Sequence, residues 1–121
     1  MIKLLQCVRK QPELSDLDFR QRWREYGEEL AKLADEMNAV RVVLDTTFVI
    51  DLNRQLRDVR GSLPAFDGVA EIYWESGPEL LRATEKDEMQ ERIDRLRDFQ
   101  ESFMKVAESS IFLVSEAVIS G

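Results

Sequence analysis

Residues 66–75 read FDGVAEIYWE, and this stretch gives the clearest indication of how the chain folds. Asp67 and Gly68 form a dipeptide that is typical of tight turns. In residues 69–75, apolar and polar side chains then alternate with the two-residue period of a β-strand. The stretch therefore predicts a turn that leads into a half-buried strand.

The two faces of this predicted strand differ in polarity. One face carries Ala70, Ile72 and Trp74, and the other carries Glu71 and Tyr73. If helices cover the apolar face, a carboxyl group enclosed on the other side would have its pKa raised by desolvation, towards the range useful to a general acid or base. Glu71 and Tyr73 are therefore candidate catalytic residues. The alternative is that Glu71 pairs with an arginine and has a structural role.

Three other segments have the composition of strands. Residues 2–9 are apolar and then charged, and they stop before Pro12. Residues 40–52 are rich in β-branched and aromatic side chains, and residues 111–119 form another apolar run. We predict a strand over each segment, with residues 53–65 as a polar connection between the second strand and the third.

The first amphipathic run predicts a helix after Ser15, a suitable N-cap with Asp18 placed favourably for the helix dipole. Its apolar residues recur every three or four positions and so share one helix face. They are Phe19, Trp23, Tyr26, Leu30, Leu33 and Met37. Gly27 lies inside this pattern, and we expect the helix to kink or weaken there.

A second amphipathic run begins after Ser76, Gly77 and Pro78, with the proline near the first helical turn. We expect a break near Lys86 and Asp87. A stripe on one helix face follows, formed by Met89, Ile93, Leu96, Phe99, Phe103 and Val106.

The resulting order, βαββαβ, predicts an α+β fold of the ferredoxin-like type. Its four-stranded antiparallel sheet carries both helices on one face, in a single domain over residues 1–121. Residues 40–52 and 111–119 are apolar on both strand faces, although the helices can cover only one. Exposed apolar surface of this extent marks an interface. We therefore expect two copies to pack sheet against sheet into a barrel; the alternative is a monomer with a few exposed valines.

Composition excludes several function classes. The formal net charge is −7, which disfavours nucleic acid and anionic membrane surfaces as partners. The chain has no His and a single Cys, so we expect no metal site and no catalytic triad. Cys7 is expected to be a buried, inert thiol. Without a disulfide, signal peptide or membrane span, the expected location is cytoplasmic.

Three motifs carry a family resemblance. They are P-E-L-S-x-x-x-F-x-x-x-W from Pro12 to Trp23, F-D-G-V-A-E from Phe66 to Glu71, and S-x-x-x-x-x-E from Ser110 to Glu116. Together they resemble the EthD family, which implies a homodimeric α/β barrel. Members include a protein associated with bacterial ether degradation and fungal enzymes that act on aromatic polyketides. Larger relatives of this barrel include cofactor-free oxygenases and haem proteins.

The chain departs from the family at one position. The family usually carries a His one helical turn after the Trp, and the residue at that place here is Gly27, beside Tyr26. Chemistry that depends on that His, including haem ligation through imidazole, is not available to this chain. For this chain we therefore expect a protein that works without a cofactor.

These observations give a functional hypothesis. A small hydrophobic or aromatic compound would bind in the barrel lumen, with Trp23, Asp45 and Phe48 in contact with it. If the chain is an enzyme, we expect proton transfer of the dehydratase, isomerase or decarboxylase kind. Glu71 would be the base, and Tyr26 or Tyr73 the proton donor.

Several alternatives stay open. The chain as a whole could be a non-catalytic dimeric domain that binds a ligand or a protein. Trp23 and Tyr26 could be core residues. Arg54, Arg57 and Arg60 are expected to form surface ion pairs, or else a lid loop that attracts an anionic ligand to the barrel mouth.

Overall fold

The structure of the chain, a computed structural model, describes residues 1–85 and 87–121. Its strands and helices are β1 (Ile2–Val8), α1 (Asp16–Glu36), β2 (Arg41–Thr46), α2 (Asp51–Arg60), β3 (Gly68–Trp74), α3 (Gly77–Thr84), α4 (Asp87–Glu101) and β4 (Ser110–Ser115). The strands form one antiparallel sheet in the order β2-β3-β1-β4. This arrangement confirms the predicted ferredoxin-like fold, with α2 as an addition to it.

Helix α1 covers the sheet with the predicted apolar stripe. The Ser15 hydroxyl accepts a hydrogen bond from the Asp18 N–H and so caps the first turn. The buried residues of the helix are Phe19, Trp23, Tyr26, Leu30 and Ala34. The three- and four-residue spacing of these side chains is what directs the helix onto the sheet.

Helix α1 continues through Gly27 without a break, from Asp16 to Glu36. A Cβ atom at Gly27 would lie 2.8 Å from Leu44 Cδ2 of β2. The glycine therefore serves close packing of helix on sheet. A side chain at this position, such as the His of the family pattern, has no room unless Leu44 moves.

The predicted long strand over residues 40–52 is also wrong. Strand β2 ends at Thr46, opposite Gly68, the first residue of β3; beyond it the Thr47 hydroxyl donates to the Phe66 carbonyl at 2.5 Å. The expected polar connection over residues 53–65 contains most of α2, which begins at Asp51 and ends at Arg60, with Gly61 as its C-cap at a left-handed φ of 62°. Helix α2 buries none of its side chains.

The surface of α2 carries two of the predicted arginine ion pairs. Arg54 lies 3.6 Å from Asp51, and Arg57 lies 3.2 Å from Asp58. All four side chains are well exposed to solvent, so the pairs contribute little to stability.

The second helical run has two parts. The Ser76 hydroxyl accepts from the Glu79 N–H and caps α3, which ends at Thr84. The predicted break falls on Lys86, which lies outside the described residues, and on Asp87, where α4 begins. Helix α4 ends at Glu101, before Phe103 and Val106, which were expected on its stripe.

Strand β4 is shorter than predicted. It ends at Ser115, and the expected continuation through Val118 and Ile119 is wrong. Both side chains are largely exposed and pack against nothing that would hold an extended strand in place. An exposed edge strand lacks the second neighbour that would continue its hydrogen-bond ladder.

The helices cover the sheet unevenly. Ile72 and Trp74 in β3 are buried beneath them, whereas Ile111 and Leu113 on the same side of β4 are 61% and 51% exposed. The helical layer therefore leaves the β4 edge uncovered and a space beneath it. No helix in the described part of the chain is both long and apolar enough to cross a membrane.

Candidate functional site

An apolar cavity of about 590 Å³ lies between the sheet and the helices. The sheet contributes Leu4, Ala70 and Ile72 to its walls, and the helices contribute Leu30 and Leu96. Its rim is formed by half-exposed apolar side chains, namely Leu81, Val106, Ile111 and Leu113. A volume of this size with walls of this kind is typical of small-molecule sites.

One end of this cavity is polar. The Tyr26 hydroxyl donates a hydrogen bond to Gln6 Oε1 at 2.6 Å and accepts one from Gln100 Nε2 at 2.9 Å. All three residues line the cavity. They come from β1, α1 and α4, so the fold brings together groups that are distant in the sequence. We refer to these three residues as the cavity triad.

Burial raises the pKa of Tyr26 to about 12, although its hydrogen bonds to the two glutamines act in the opposite direction. The hydroxyl is therefore neutral near pH 7 and can donate or accept a hydrogen bond. It is a poor general base in this state. The chemistry that the cavity triad supports best is recognition of a polar atom on an otherwise apolar ligand.

Aromatic packing fixes the Tyr26 ring. The ring stacks on Trp23 with centroids 5.5 Å apart and on Phe99 at 6.3 Å, and it lies 5.4 Å from Phe103 in a tilted geometry. Such pairs restrict the ring to one orientation. The hydroxyl is thus held at the cavity end by packing as well as by hydrogen bonds.

Glu71 and Tyr73 lie on the opposite side of the sheet, together with Lys3. Lys3 Nζ lies 2.8 Å from Glu71 Oε1, 3.2 Å from Glu116 Oε2 and 3.4 Å from the Tyr73 hydroxyl. The Tyr73 hydroxyl also donates to Glu71 Oε1 at 3.3 Å. Glu71 is therefore paired as in the structural alternative, with a lysine in place of the expected arginine.

In the single chain the pKa of Glu71 is lowered, not raised as desolvation alone would predict. The hydrogen bond from Lys3 lowers the pKa of this carboxyl group, and this effect outweighs the desolvation that acts against it. The pKa of Asp45, although its side chain is exposed, is raised by partial desolvation and then by the hydrogen bond and negative charge of neighbouring Glu71. The two carboxyl groups thus have pKa values displaced in opposite directions.

The predicted site residues do not form one site. Asp45, Glu71 and Tyr73 lie on the side of the sheet that faces away from the helices, here called the open face. Tyr26 lies in the helix-side cavity. Trp23 is a core residue whose Nε1 donates to the Asp45 carbonyl at 3.2 Å. Phe48 follows the end of β2 and is largely exposed.

Two members of the cavity triad, Gln6 and Gln100, were not predicted from the sequence. Gln6 alternates with Leu4 and Val8 on the inward face of β1, and a polar residue in such a row is a signal that it has a buried partner. Gln100 carried no comparable signal, since it follows Phe99 in a helix with many polar residues.

The remaining candidate groups add no metal site. The described residues contain no group of three or more His, Cys, Asp or Glu side chains that could hold an ion. Cys7 lies in β1 and is partly buried, and desolvation raises the pKa of its thiol.

A sequence model of the EthD domain matches residues 11–101 of the chain. No curated protein matches it. Among solved structures, the chain is similar to a mutant of SnoaB, described as a cofactor-independent oxygenase from Streptomyces nogalater. The TM-score is 0.52 and the identity 13%, over 99% of this chain and 97% of that one. At this identity the likeness concerns the fold alone.

Proposed function

This chain belongs to the EthD domain family, and we propose that it binds a small, mainly apolar organic compound in the helix-side cavity. The observation that supports this most is the cavity of about 590 Å³ that ends in the cavity triad of Gln6, Tyr26 and Gln100. Apolar walls supply affinity, and the few polar groups orient the ligand.

The cavity triad favours a ligand with one hydroxyl or carbonyl group. Such a group would form hydrogen bonds with Tyr26 or Gln100. The buried side chain of Gln6 would keep a hydrogen-bond partner. None of these three side chains carries a charge, and the arginine of the lining, Arg97, is exposed and lies 3.6 Å from Asp94. The proposal therefore covers neutral hydrophobic or aromatic compounds.

The likeness to SnoaB, described as a cofactor-independent oxygenase, is consistent with a site that works without a cofactor. In this chain the cavity wall is mainly apolar, and the cavity triad consists of neutral side chains.

We also propose that the chain forms a homodimer through the side of the sheet that faces away from the helices. Leu5, Val43, Val69, Phe112 and Val114 point to this side, and Phe112 is 46% exposed. The facing sheets would enclose a lumen. Burial of this apolar surface supports the association.

Proton transfer in that lumen is a second candidate function. It is favoured by the opposite displacement of the pKa values of Asp45 and Glu71, a pattern found in acid–base pairs. Asp45, with the raised pKa, would be the proton donor, and Tyr73 would orient Glu71. Asp45→Asn should then abolish turnover of a bound compound while the dimer stays intact.

Two neighbouring residues of β4 allow ligand binding in the helix-side cavity to be distinguished from binding in the lumen. Leu113 lines the helix-side cavity, whereas Phe112 points to the other side, and the two are similarly exposed. Compounds that raise the melting temperature of the wild-type chain would be titrated by calorimetry against Leu113→Trp and Phe112→Trp. We expect Leu113→Trp to weaken binding by about tenfold or more because the indole fills the cavity.

Phe112→Trp is the matched control and should leave the affinity unchanged. The reverse pattern would place the ligand in the lumen and contradict the proposed site. If neither variant changes the affinity, the compound binds elsewhere and the proposal fails as well.

A further inference from the structure

A second space, a cleft of about 250 Å³, lies where the chain passes from β2 into α2. Its lining includes Arg20, Arg54 and Arg57, and we call it the arginine cleft. We propose that the arginine cleft binds a small organic carboxylate with an apolar body. It shares no lining residue with the helix-side cavity, so this proposal is independent of the ligand proposed there.

Helix α2 has its polar side towards the protein. Asn53, Arg54 and Arg57 lie one helical turn or less apart, and all three line the arginine cleft. The apolar side chains of the helix do not line the cleft and are exposed to solvent; they are Leu52, Leu56 and Val59. A surface helix normally packs its apolar side on the protein. The reversed arrangement here places guanidinium groups at the cleft, where leucines would be expected.

The guanidinium groups of the cleft come from two helices and are available to a ligand. No carboxylate oxygen in the described part of the chain lies within 4 Å of the Arg20 guanidinium. Arg54 and Arg57 pair with Asp51 and Asp58, which lie outside the lining and are well exposed. Ion pairs of this kind are weak. A ligand carboxylate can therefore compete for both arginines.

Two acids also belong to the lining, and they do not cancel its positive charge. Asp67 Oδ2 accepts a hydrogen bond from the Lys10 backbone N–H at 2.8 Å, and Asp16 is exposed in the first turn of α1. Three arginines against two aspartates leave the lining net positive, although the whole chain has a net charge of −7. Guanidinium groups bind carboxylates through two parallel hydrogen bonds, so the preferred ligand is an anion.

Apolar side chains beside the arginines indicate what the rest of the ligand is. Phe48, Val49 and Ile50 precede α2 and line the cleft, and they are 74%, 67% and 49% exposed. An inorganic anion would leave these side chains in water. The apolar body of an organic carboxylate would cover them and gain affinity from their burial. The volume corresponds to about eight water molecules at about 30 Å³ each, which leaves room for an aromatic acid.

Titration calorimetry with naphthoate and naphthamide tests recognition of the charge. The two compounds have nearly the same shape, but only naphthoate is an anion near pH 7. Both would be titrated into the wild type and into Leu113→Trp, in which the helix-side cavity is filled. In Leu113→Trp we expect naphthoate to bind about tenfold or more tightly than naphthamide, with the same affinity for naphthoate as the wild type. Inorganic phosphate should compete only weakly.

Substitutions in α2 test the place of binding. Arg57→Gln should weaken naphthoate about fivefold or more, and adding Arg54→Gln should weaken it further. Arg60→Gln is the matched control, because it removes the same charge from the same helical turn but lies outside the lining. It should leave the affinity within about twofold. Since α2 buries none of its side chains, we expect these variants to fold, and circular dichroism checks this.

Phe48→Ala tests the apolar part of the cleft and should weaken naphthoate about threefold or more. Val59→Ala, on the exposed apolar side of α2, is its control and should have no effect.

Four results would each overturn the proposal. Naphthoate could fail to bind, or naphthamide or phosphate could bind as tightly as naphthoate. Arg60→Gln could weaken naphthoate as much as Arg57→Gln, which would indicate general attraction by the charge of α2. Loss of naphthoate binding in Leu113→Trp would place the compound in the helix-side cavity, and that result would support the other site while refuting this one.

Discussion

On the helix side of the sheet Trp74 is 1% exposed and its Nε1 donates to the Met37 carbonyl, whereas on the open face Phe112 is 46% exposed and covered by no helix. On the helix side, helices of the same chain bury the apolar residues of the sheet. The space that these helices leave unfilled is the cavity. The open face instead places a polar cluster around Lys3 and Glu71 among apolar neighbours. Incomplete cover thus leaves a pocket on one side and exposed apolar side chains on the other.

The largest expected effect concerns burial on the helix side. Trp74→Ala should lower the free energy of unfolding by about 3–5 kcal/mol, because it leaves a large void and removes a hydrogen bond to Met37. Phe112→Ala on the open face should cost under about 1 kcal/mol in dilute, dissociated protein. Urea unfolding of both variants measures the contrast. Equal losses would mean that the two sides are buried alike.

Close packing at the start of β3 gives the next effect. A Cβ atom at Gly68 would lie 2.6–2.9 Å from atoms of the rigid Trp23 indole. Gly68→Ala should therefore lower the free energy of unfolding by about 1–3 kcal/mol. Gly77→Ala is the matched control, since nothing lies within 4 Å of its added methyl group. An unchanged free energy of unfolding in Gly68→Ala would show that the packing on the helix side can adjust to the added methyl group.

The cavity triad should be sensitive to loss of a single oxygen atom. Tyr26→Phe removes the hydroxyl that pairs with Gln6, which is buried, and we expect a loss of about 1–3 kcal/mol in unfolding free energy. The variant should also weaken a ligand that bonds to this hydroxyl. Tyr73→Phe on the open face is the control, and it should leave ligand affinity unchanged. Loss of affinity in that control instead would point to the lumen.

The smallest effect is a pH dependence on the open face. Lys3 lowers the pKa of Glu71 in the folded chain, so the stabilisation is present above the unfolded pKa of Glu71 and is lost as pH falls through the folded value. Between pH 5 and pH 3 we expect a loss on the order of 1 kcal/mol from this group. The raised pKa of Asp45 acts with the opposite sign and reduces the net change.

Lys3→Met should reduce the loss of unfolding free energy at acid pH, because it removes the main cause of the lowered pKa of Glu71. Lys32→Met, at an exposed pair with Glu29, is the matched control and should leave the slope unchanged. Unfolding free energies measured by urea at several pH values test both variants. An unchanged slope in Lys3→Met would contradict the role given to the Lys3–Glu71 pair.

Much of the fold could be predicted from local patterns. The Asp67–Gly68 turn, the Ser15 cap and the stripe on α1 were all visible, because each depends on residues close in sequence. The end of β2 could not be predicted, since residues after Thr46 keep a strand-like composition. The strand ends opposite Gly68, where its partner β3 begins, and only the folded chain sets this register.

The candidate site was less predictable. Tyr26 was identified, but its partner Gln100 lies 74 residues away, and no local pattern links the two. Likewise, Glu71 and Lys3 meet only through the register of β1 against β3. That Glu71 and Tyr73 share one side of the sheet was predicted from the alternation of polar and apolar residues along β3. The pKa direction of Glu71 was not, because it depends on which cation is adjacent.

The most direct test of the proposed ligand site is a crystal structure of the chain with a compound that raises its melting temperature. We expect electron density for the compound on the helix side, bounded by Leu113 and Ile72, with a polar atom of the compound within hydrogen-bond distance of the Tyr26 hydroxyl. Density between Glu71 and Tyr73 on the open face, with the helix-side cavity empty, would contradict it.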